Sequence, residues 1–182
     1  MNLEERKLTS EAVYDGGLLH VRYDTIELPD GNTSWREYFV HGGAVCIVPI
    51  TDDGQVVLEH QYRYAVGEVM LEIPAGKLDS AEEDPLDAAK RELREETGYI
   101  AEKWTPMGYF YPAVAYCTEK IWMFAATGLT RGEQDMDEDE FLEVFTAPLS
   151  EMAEKALMGE IPDIKTQAAL VRANELYKRG LI

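Results

Sequence analysis

"AGKLDSAEEDPLDAAKRELREETGY", residues Ala75–Tyr99, decides how this chain is read. The second half of the stretch is a helix with both ends marked. Asp84 is a strong N-cap, Pro85 suits the first helical turn, and Gly98 supplies a left-handed stop. Leu86, Ala89 and Leu93 recur at spacings of three and four and form the stripe to be buried. Glu92 and Glu96 are four residues apart and Glu95 lies one turn from Glu92, so three carboxylates crowd together away from that stripe. Like charges at such spacings repel by roughly a few tenths of a kcal/mol per pair. Glu95 and Glu96 also sit near the helix C-terminus, where the macrodipole disfavours anions. A solvated acidic face is the plain alternative, but such a face would gain from Lys or Arg at these places. Converging carboxylates become favourable when they share a hard divalent cation, which takes oxygen ligands. Arg91, four residues before Glu95, can orient that carboxylate. The cluster reads as a metal site.

Working outward, "VMLEIPAG" is a strand stopped by Pro74 and Gly76, preceded by the strands "QVVLEHQYR" and "AVCIVPI". The last of these, Ala44–Ile50, is an apolar run suited to a buried central strand. From Leu8 to His41 the chain reads as strands: Leu19, Val21, Tyr23 and Thr25 alternate with their neighbours, and Gly16-Gly17 and "PDGN" provide turns. Beyond the acidic helix come strands around "WTPMGYFY", "KIWMFAAT" and "FLEVFT", then a helix opened by Pro148 and closed near Gly159. A last helix runs from about Asp163 to Lys178, with Ile164, Ala168, Val171 and Leu176 on its apolar face. Strands and helices mix without regular βαβ alternation, so an α/β (α+β) fold with a mixed sheet covered by helices is expected.

The 182 residues suit one domain of ordinary size with a small appendage, and 46% hydrophobic with 29% charged residues is a folding composition. A formal net charge of −18 argues against nucleic acid as a partner and against an anionic membrane surface. An anionic substrate would need cations supplied locally. Cys46 and Cys117 are far apart and form no CxxC pair, as in a reducing compartment. "MNLEERKLTSE" has no apolar signal core and no run reaches membrane-spanning length, so the expected location is the cytoplasm. His20, His41 and His60 are not grouped by spacing, which argues against zinc.

Gly76, Glu83 and the run Arg91–Tyr99 together resemble the Nudix box, G-x5-E-x7-R-E-U-x-E-E-x-G-U, where U is bulky and aliphatic. Tyr99 stands in the last U place, and the front half carries one extra residue. Glu82 fits the spacing from Gly76 and Glu83 the spacing to Arg91; Glu83 is preferred because the insertion then falls in the loop. "REYFVHGGAVCIVPI", "HQYRYAVGEVMLEIPAGKLD" and "DEDEFLEVF" extend the resemblance, from about Leu8 to Tyr177, to the ADP-ribose pyrophosphatase branch of the Nudix hydrolases. Val114-Ala115-Tyr116 departs from the Pro-Gly-aromatic element usual in that branch.

The resemblance implies a Nudix-type α/β/α sandwich with a mixed central sheet, plus a small N-terminal antiparallel β-sheet subdomain. Residues 1–41 would be that subdomain, serving dimerisation and substrate contacts, and 42–182 the hydrolase domain. It implies metal ligation by Glu92, Glu96 and the Ala75 carbonyl, with Glu95 as a further ligand or a carboxylate behind them, and Arg91 holding the cluster. On the acidic segment "DMDEDEF", Glu138 would be the general base and Glu140 a metal contact. An EF-hand loop does not fit there, because the sixth position from Asp135 is Glu140 and the twelfth Thr146. Arg36 and Arg63 would reach the diphosphate, and Glu72 and Glu119 would lie near the substrate. The implied reaction is magnesium-dependent hydrolysis of ADP-ribose to AMP and ribose 5-phosphate, with manganese as a substitute, by a homodimer with exchanged N-terminal strands. Another nucleotide sugar such as a GDP-hexose is the alternative substrate. A non-catalytic ligand sensor is the alternative of another class, and it would be expected to have lost the glutamates that are present here.

Overall fold

A computed structural model describes residues 1–80, 82–135 and 141–182. The chain divides into two compact units, one of residues Met1–Gly43 with Tyr111–Lys120, the other of Ala44–Phe110 with Ile121–Ile182.

The first unit is a meander of β1 (Arg6–Asp15), β2 (His20–Glu27) and β3 (Thr33–Val40), antiparallel throughout. The turns are those the glycines announce: Gly16 N–H donates to the Leu19 carbonyl (2.9 Å), and Gly31, at φ 86°, closes the turn under the Leu28–Asn32 pair. Every residue of β1 is exposed, and in β2 only Asp24 and Ile26 are buried. Three strands with so small an apolar interior have little independent stability. The 111–120 segment lies beside β3, held by backbone pairs at Phe39 and by the Phe39–Tyr116 ring contact. Phe39 donates to the Tyr116 carbonyl (3.0 Å) and accepts from Thr118 N–H (3.1 Å).

The second unit is layered. A four-stranded mixed sheet has the order β7 (Ala75–Lys77), β4 (Ala44–Pro49), β9 (Ile121–Arg131), β8 (Tyr99–Phe110). Its β4–β9 pair is parallel and the other two pairs are antiparallel. All six residues of β4 are buried, as an apolar run flanked by strands on both sides requires. A second, antiparallel sheet has the order β10 (Leu142–Pro148), β5 (Gln55–Arg63), β6 (Glu68–Glu72). Helix α1 (Pro85–Thr97) covers one face of the mixed sheet, packing Ala88, Ala89 and Leu93 on Val45, Ile47, Phe124 and Ala126. The opposite core joins Cys46, Val48 and Met123 to Val56 and Leu58 of the second sheet and to α2 (Leu149–Leu157) and α3 (Ile164–Lys178). This is the α/β/α arrangement with a mixed central sheet and a small N-terminal antiparallel sheet.

Two local expectations change. Strand β8 begins at Tyr99, directly after the Gly98 stop, rather than near Trp104. The face that α3 buries carries Thr166, Ala169, Leu170 and Ala173, whereas Ile164 is 53% and Val171 37% exposed. The small residues let α3 approach the core closely. The neighbouring apolar stripe is left at a groove lined by Leu157, Ile164, Ala168 and Val171.

Candidate active site

Helix α1 starts and ends as its sequence demands. Asp84 accepts a hydrogen bond from Leu86 N–H (2.8 Å), and Gly98, at φ 71°, donates its N–H to the Arg94 carbonyl (2.9 Å). With Ala88, Ala89 and Leu93 turned to the core, the helix aims its glutamates at the Ala75–Gly76 backbone. Glu96, almost wholly buried, accepts from Ala75 N–H (2.9 Å). Glu92 lies directly on Gly76, where a Cβ would fall 1.9 Å from its Cδ. No left-handed conformation asks for glycine here; the requirement is room for a carboxylate against backbone.

One guanidinium ties the cluster together. Arg91 Nη1 donates to Glu92 Oε1 (2.7 Å) and Glu95 Oε2 (3.2 Å), Nε to Glu83 Oε1 (3.3 Å), and Nη2 to the Lys77 carbonyl (3.1 Å). Partial burial works against its charge, but the Glu83 hydrogen bond, the Glu92 charge and the bonds to Glu92 and Glu95 hold it well above the ordinary arginine value. Of the two candidates for the first glutamate of the box, Glu83 is the one that pairs with Arg91, and the Asp79 N–H beside it (2.6 Å) lowers its carboxyl below the usual range. Arg94 adds a weaker contact to Glu95 (3.4 Å) and reaches Asp135 (3.4 Å). Asp135 N–H in turn donates to the Glu95 carbonyl (3.2 Å), and Gln134 donates to the Glu96 carbonyl. Glu138 and Glu140 lie outside the described residues.

Among the described residues no three His, Cys, Asp or Glu side chains form a ready-made cage for an ion. The donors that α1 gathers at Ala75–Gly76 are nevertheless all hard oxygens, suited to magnesium or manganese rather than to a thiolate- or imidazole-seeking metal. Their close approach to backbone, possible only over glycine, fits such an ion.

A second charged centre is joined to the first by the short run Glu72–Gly76. Glu72 is 1% exposed. Arg63 grips it with two bonds of 2.7 Å, from Nε and Nη2, and Lys165 of α3 donates to it as well. Next along the chain, Ile73 N–H donates to Thr166 Oγ1 (3.0 Å). The structure thus brings Arg91, Glu92, Glu95, Glu96 and Ala75 together, and pairs Arg63 with Glu72. Arg36 and Glu119 belong to the N-terminal unit, where Arg36 pairs with Glu5 and donates to the Trp35 carbonyl (2.8 Å), and Glu119 lies 3.8 Å from His41 Nε2. His20 and His60 each meet a carboxylate elsewhere, Asp15 and Glu143. Burial pushes the Cys46 thiol up to about 12, which leaves it chemically idle. Lys165, Thr166 and Gln134 went unnoticed in the sequence. No local pattern marks them, because the partners that tie them to the site are 38 to 93 residues away.

Residues 40–167 match the NUDIX domain, and residues 5–39 match the nucleoside diphosphate sugar hydrolase N-terminal domain. The chain is 37% identical to the ADP-ribose pyrophosphatase of Bacillus subtilis, over 93% of this chain and 92% of that protein. It is 37% identical to the methanol dehydrogenase activator of Bacillus methanolicus, over 92% and 91% respectively. A crystal structure of an ADP compounds hydrolase superposes over 100% of both chains with a TM-score of 0.86 and 26% identity. With three box glutamates on one helix, their arginine among them and a glycine beneath, this chain belongs to the Nudix hydrolase family.

Proposed function

We propose that the protein hydrolyses the pyrophosphate bond of ADP-ribose, releasing AMP and ribose 5-phosphate, with magnesium as its metal and manganese as a substitute. The observation that carries this reading is the convergence of Glu92 and Glu96 on Ala75–Gly76. The choice of ADP-ribose is supported by likeness over nearly the whole length to an ADP-ribose pyrophosphatase.

Nudix hydrolases generally use a divalent metal ion. Bound here, the ion would neutralise phosphate charge and acidify a water. Glu92, Glu96 and the Ala75 carbonyl would hold it, with Glu95 and Glu140 completing the oxygen set. Arg91 keeps the carboxylates oriented through its bonds to Glu92, Glu95 and Glu83, and support of this kind sets metal affinity. Glu138 is assigned as general base. The tie between Asp135 and Glu95, at the start of its segment, supports that assignment. In the reaction water oxygen bonds to one phosphorus as the bridging P–O bond breaks. One proton passes to Glu138, and the bridging oxygen leaves on the other phosphate. Arg63 and Glu72 serve the substrate side, as do Arg36 and Glu119 of the N-terminal unit.

The N-terminal unit, residues 1–41 in essence, would serve dimerisation by exchange with a second copy. Its fully exposed β1 and the exposed Val13, Tyr14 and Trp35 support this. The two free, buried thiols agree with a cytoplasmic location. The test is AMP release from ADP-ribose, with and without magnesium, beside GDP-mannose. Metal-dependent AMP release in preference to GMP release is expected; turnover without metal, or a preference for GDP-mannose, would overturn the reading.

A further inference from the structure

Lys165 is only 11% exposed, and its ammonium donates to Glu72 and to Asp163 (3.1 Å). Removing a lysine charge from water is costly, and fastening α3 does not require it. That helix is already secured by the Asp163 cap on Thr166 N–H (2.9 Å), by the Thr166–Ile73 bond (3.0 Å), and by the burial of Ala169, Leu170 and Ala173. What Lys165 adds is a positive charge on the carboxylate oxygen, Glu72 Oε2, that Arg63 Nη2 also grips.

Arg63 commits Nε and Nη2 to Glu72, which fixes the plane of its guanidinium while the side chain stays 41% exposed. Three carboxylates act on it: Glu72 by hydrogen bond and charge, and Glu59 and Asp163 by charge. Lys165 is the second cation bonded to Glu72. Without it, Arg63 would face these carboxylates with one positive charge fewer, in a protein of net charge −18. An anionic substrate would then meet a negative surround where it needs a positive one.

We propose that Lys165 is a positioning residue for substrate binding: through the Glu72 carboxylate that both cations share, it fixes the Arg63 guanidinium and offsets the surrounding negative charge, so that Arg63 can take an anionic group of the substrate. This rests on the preceding reading, in which Arg63 faces a nucleoside diphosphate. The ligand class is set by chemistry: a guanidinium held edge-on by a carboxylate and partly exposed is a preorganised site for a phosphate oxygen.

The test uses the full chain with Lys165→Met, Lys165→Arg, Asp163→Asn and Arg63→Ala. Lys165→Met is expected to raise KM for ADP-ribose by about tenfold, the size of one partly screened charge, with kcat within about twofold. Lys165→Arg restores KM. Asp163→Asn keeps the helix cap but removes a negative charge, so it lowers KM; a merely structural role would make both substitutions harmful. The KM effect of Lys165→Met vanishes in an Arg63→Ala background. Independently of turnover, the NMR signal of the Arg63 Nε–H is expected to stand apart from those of free arginines in the unaltered protein and to move toward them in Lys165→Met. If ADP-ribose is not hydrolysed at all, the proposed function fails and this signal alone decides the role of Lys165. An unmoved Arg63 signal overturns the proposal, as does a KM effect that persists without Arg63. Should Lys165→Met not fold, a raised KM in Asp163→Asn overturns it and a lowered one supports it.

Discussion

Glu72 and the backbone that the α1 glutamates meet, Ala75–Gly76, are only a few residues apart along the chain, yet the two charged centres are held in different ways. Glu72 is a single carboxylate gripped by two cations, with its side chain 2% exposed. At the other centre Arg91 is shared among Glu83, Glu92, Glu95 and, at 3.4 Å, Asp79, and Arg94 touches Glu95 as well. At the first centre both Glu72 oxygens are already held, one by Arg63 and the other by Arg63 and Lys165 together. The second carries an excess of negative charge, and a divalent ion would relieve it. Burial of acidic residues therefore does not by itself mark a metal site; how fully cations already occupy a carboxylate's oxygens separates a fastening from a candidate ligand.

The largest effect that would break this contrast is on turnover. Glu92→Gln keeps the shape but removes charge from the under-neutralised centre, and kcat for ADP-ribose should fall on the order of a thousandfold, the equivalent of several kcal/mol of lost charge stabilisation. The thermal midpoint should hold or rise, since repulsion is relieved; a large drop in midpoint would mean that Glu92 is structural, like Glu72. Gly76→Ala sharpens the same point at intermediate size. Its methyl group would displace the flexible end of Glu92 rather than backbone, so activity should drop about tenfold to a hundredfold, the range seen when support for metal ligands is lost. Circular dichroism should show an intact fold. Unchanged activity would mean that Glu92 need not rest on Gly76.

The smallest effect concerns pH and the completed centre. Burial tends to raise the Glu72 pKa, but the hydrogen bond from Arg63 and the charge of Lys165 outweigh it and set the folded value below 4.5. A group whose pKa is depressed on folding contributes stability that is fully present above its unfolded value and is lost as pH falls through the folded one. Glu72 should therefore support the fold above about pH 4.5 and cease to do so progressively below it. Thermal midpoints measured from pH 6 downward should show a shallower acid slope in Glu72→Gln than in the unaltered protein. Identical slopes would count against the Glu72 pairing.

How much of this was legible in the sequence follows the range of the forces involved. Helix α1 could be read residue by residue, because caps, stripe and carboxylate face are all local: Asp84, Leu93 and Gly98 behave as their types require. The all-apolar β4 was equally plain. The start of β8 was hidden because Tyr99–Lys103 lacks a clean alternation and takes strand form from pairing with β9. The buried face of α3 was misread because hydropathy favoured Ile164 and Val171, whereas packing favoured the smaller Ala169 and Ala173. The hydrogen bonds of Phe39 to residues 116–118 use backbone groups, which every residue has. The role of Lys165 was invisible for the simplest reason: Glu72, the partner that ties it to Arg63, is 93 positions earlier.

That distance has a consequence for how the protein is made. The Ile73 amide meets its acceptor, Thr166, only when a segment 93 residues further on has emerged from the ribosome. Until then the backbone beside Ala75 and Gly76 has one side unfastened, however well α1 has formed on the other. A nascent chain stalled before Asp163 would carry every box glutamate and still lack the bond that fastens the backbone beneath them.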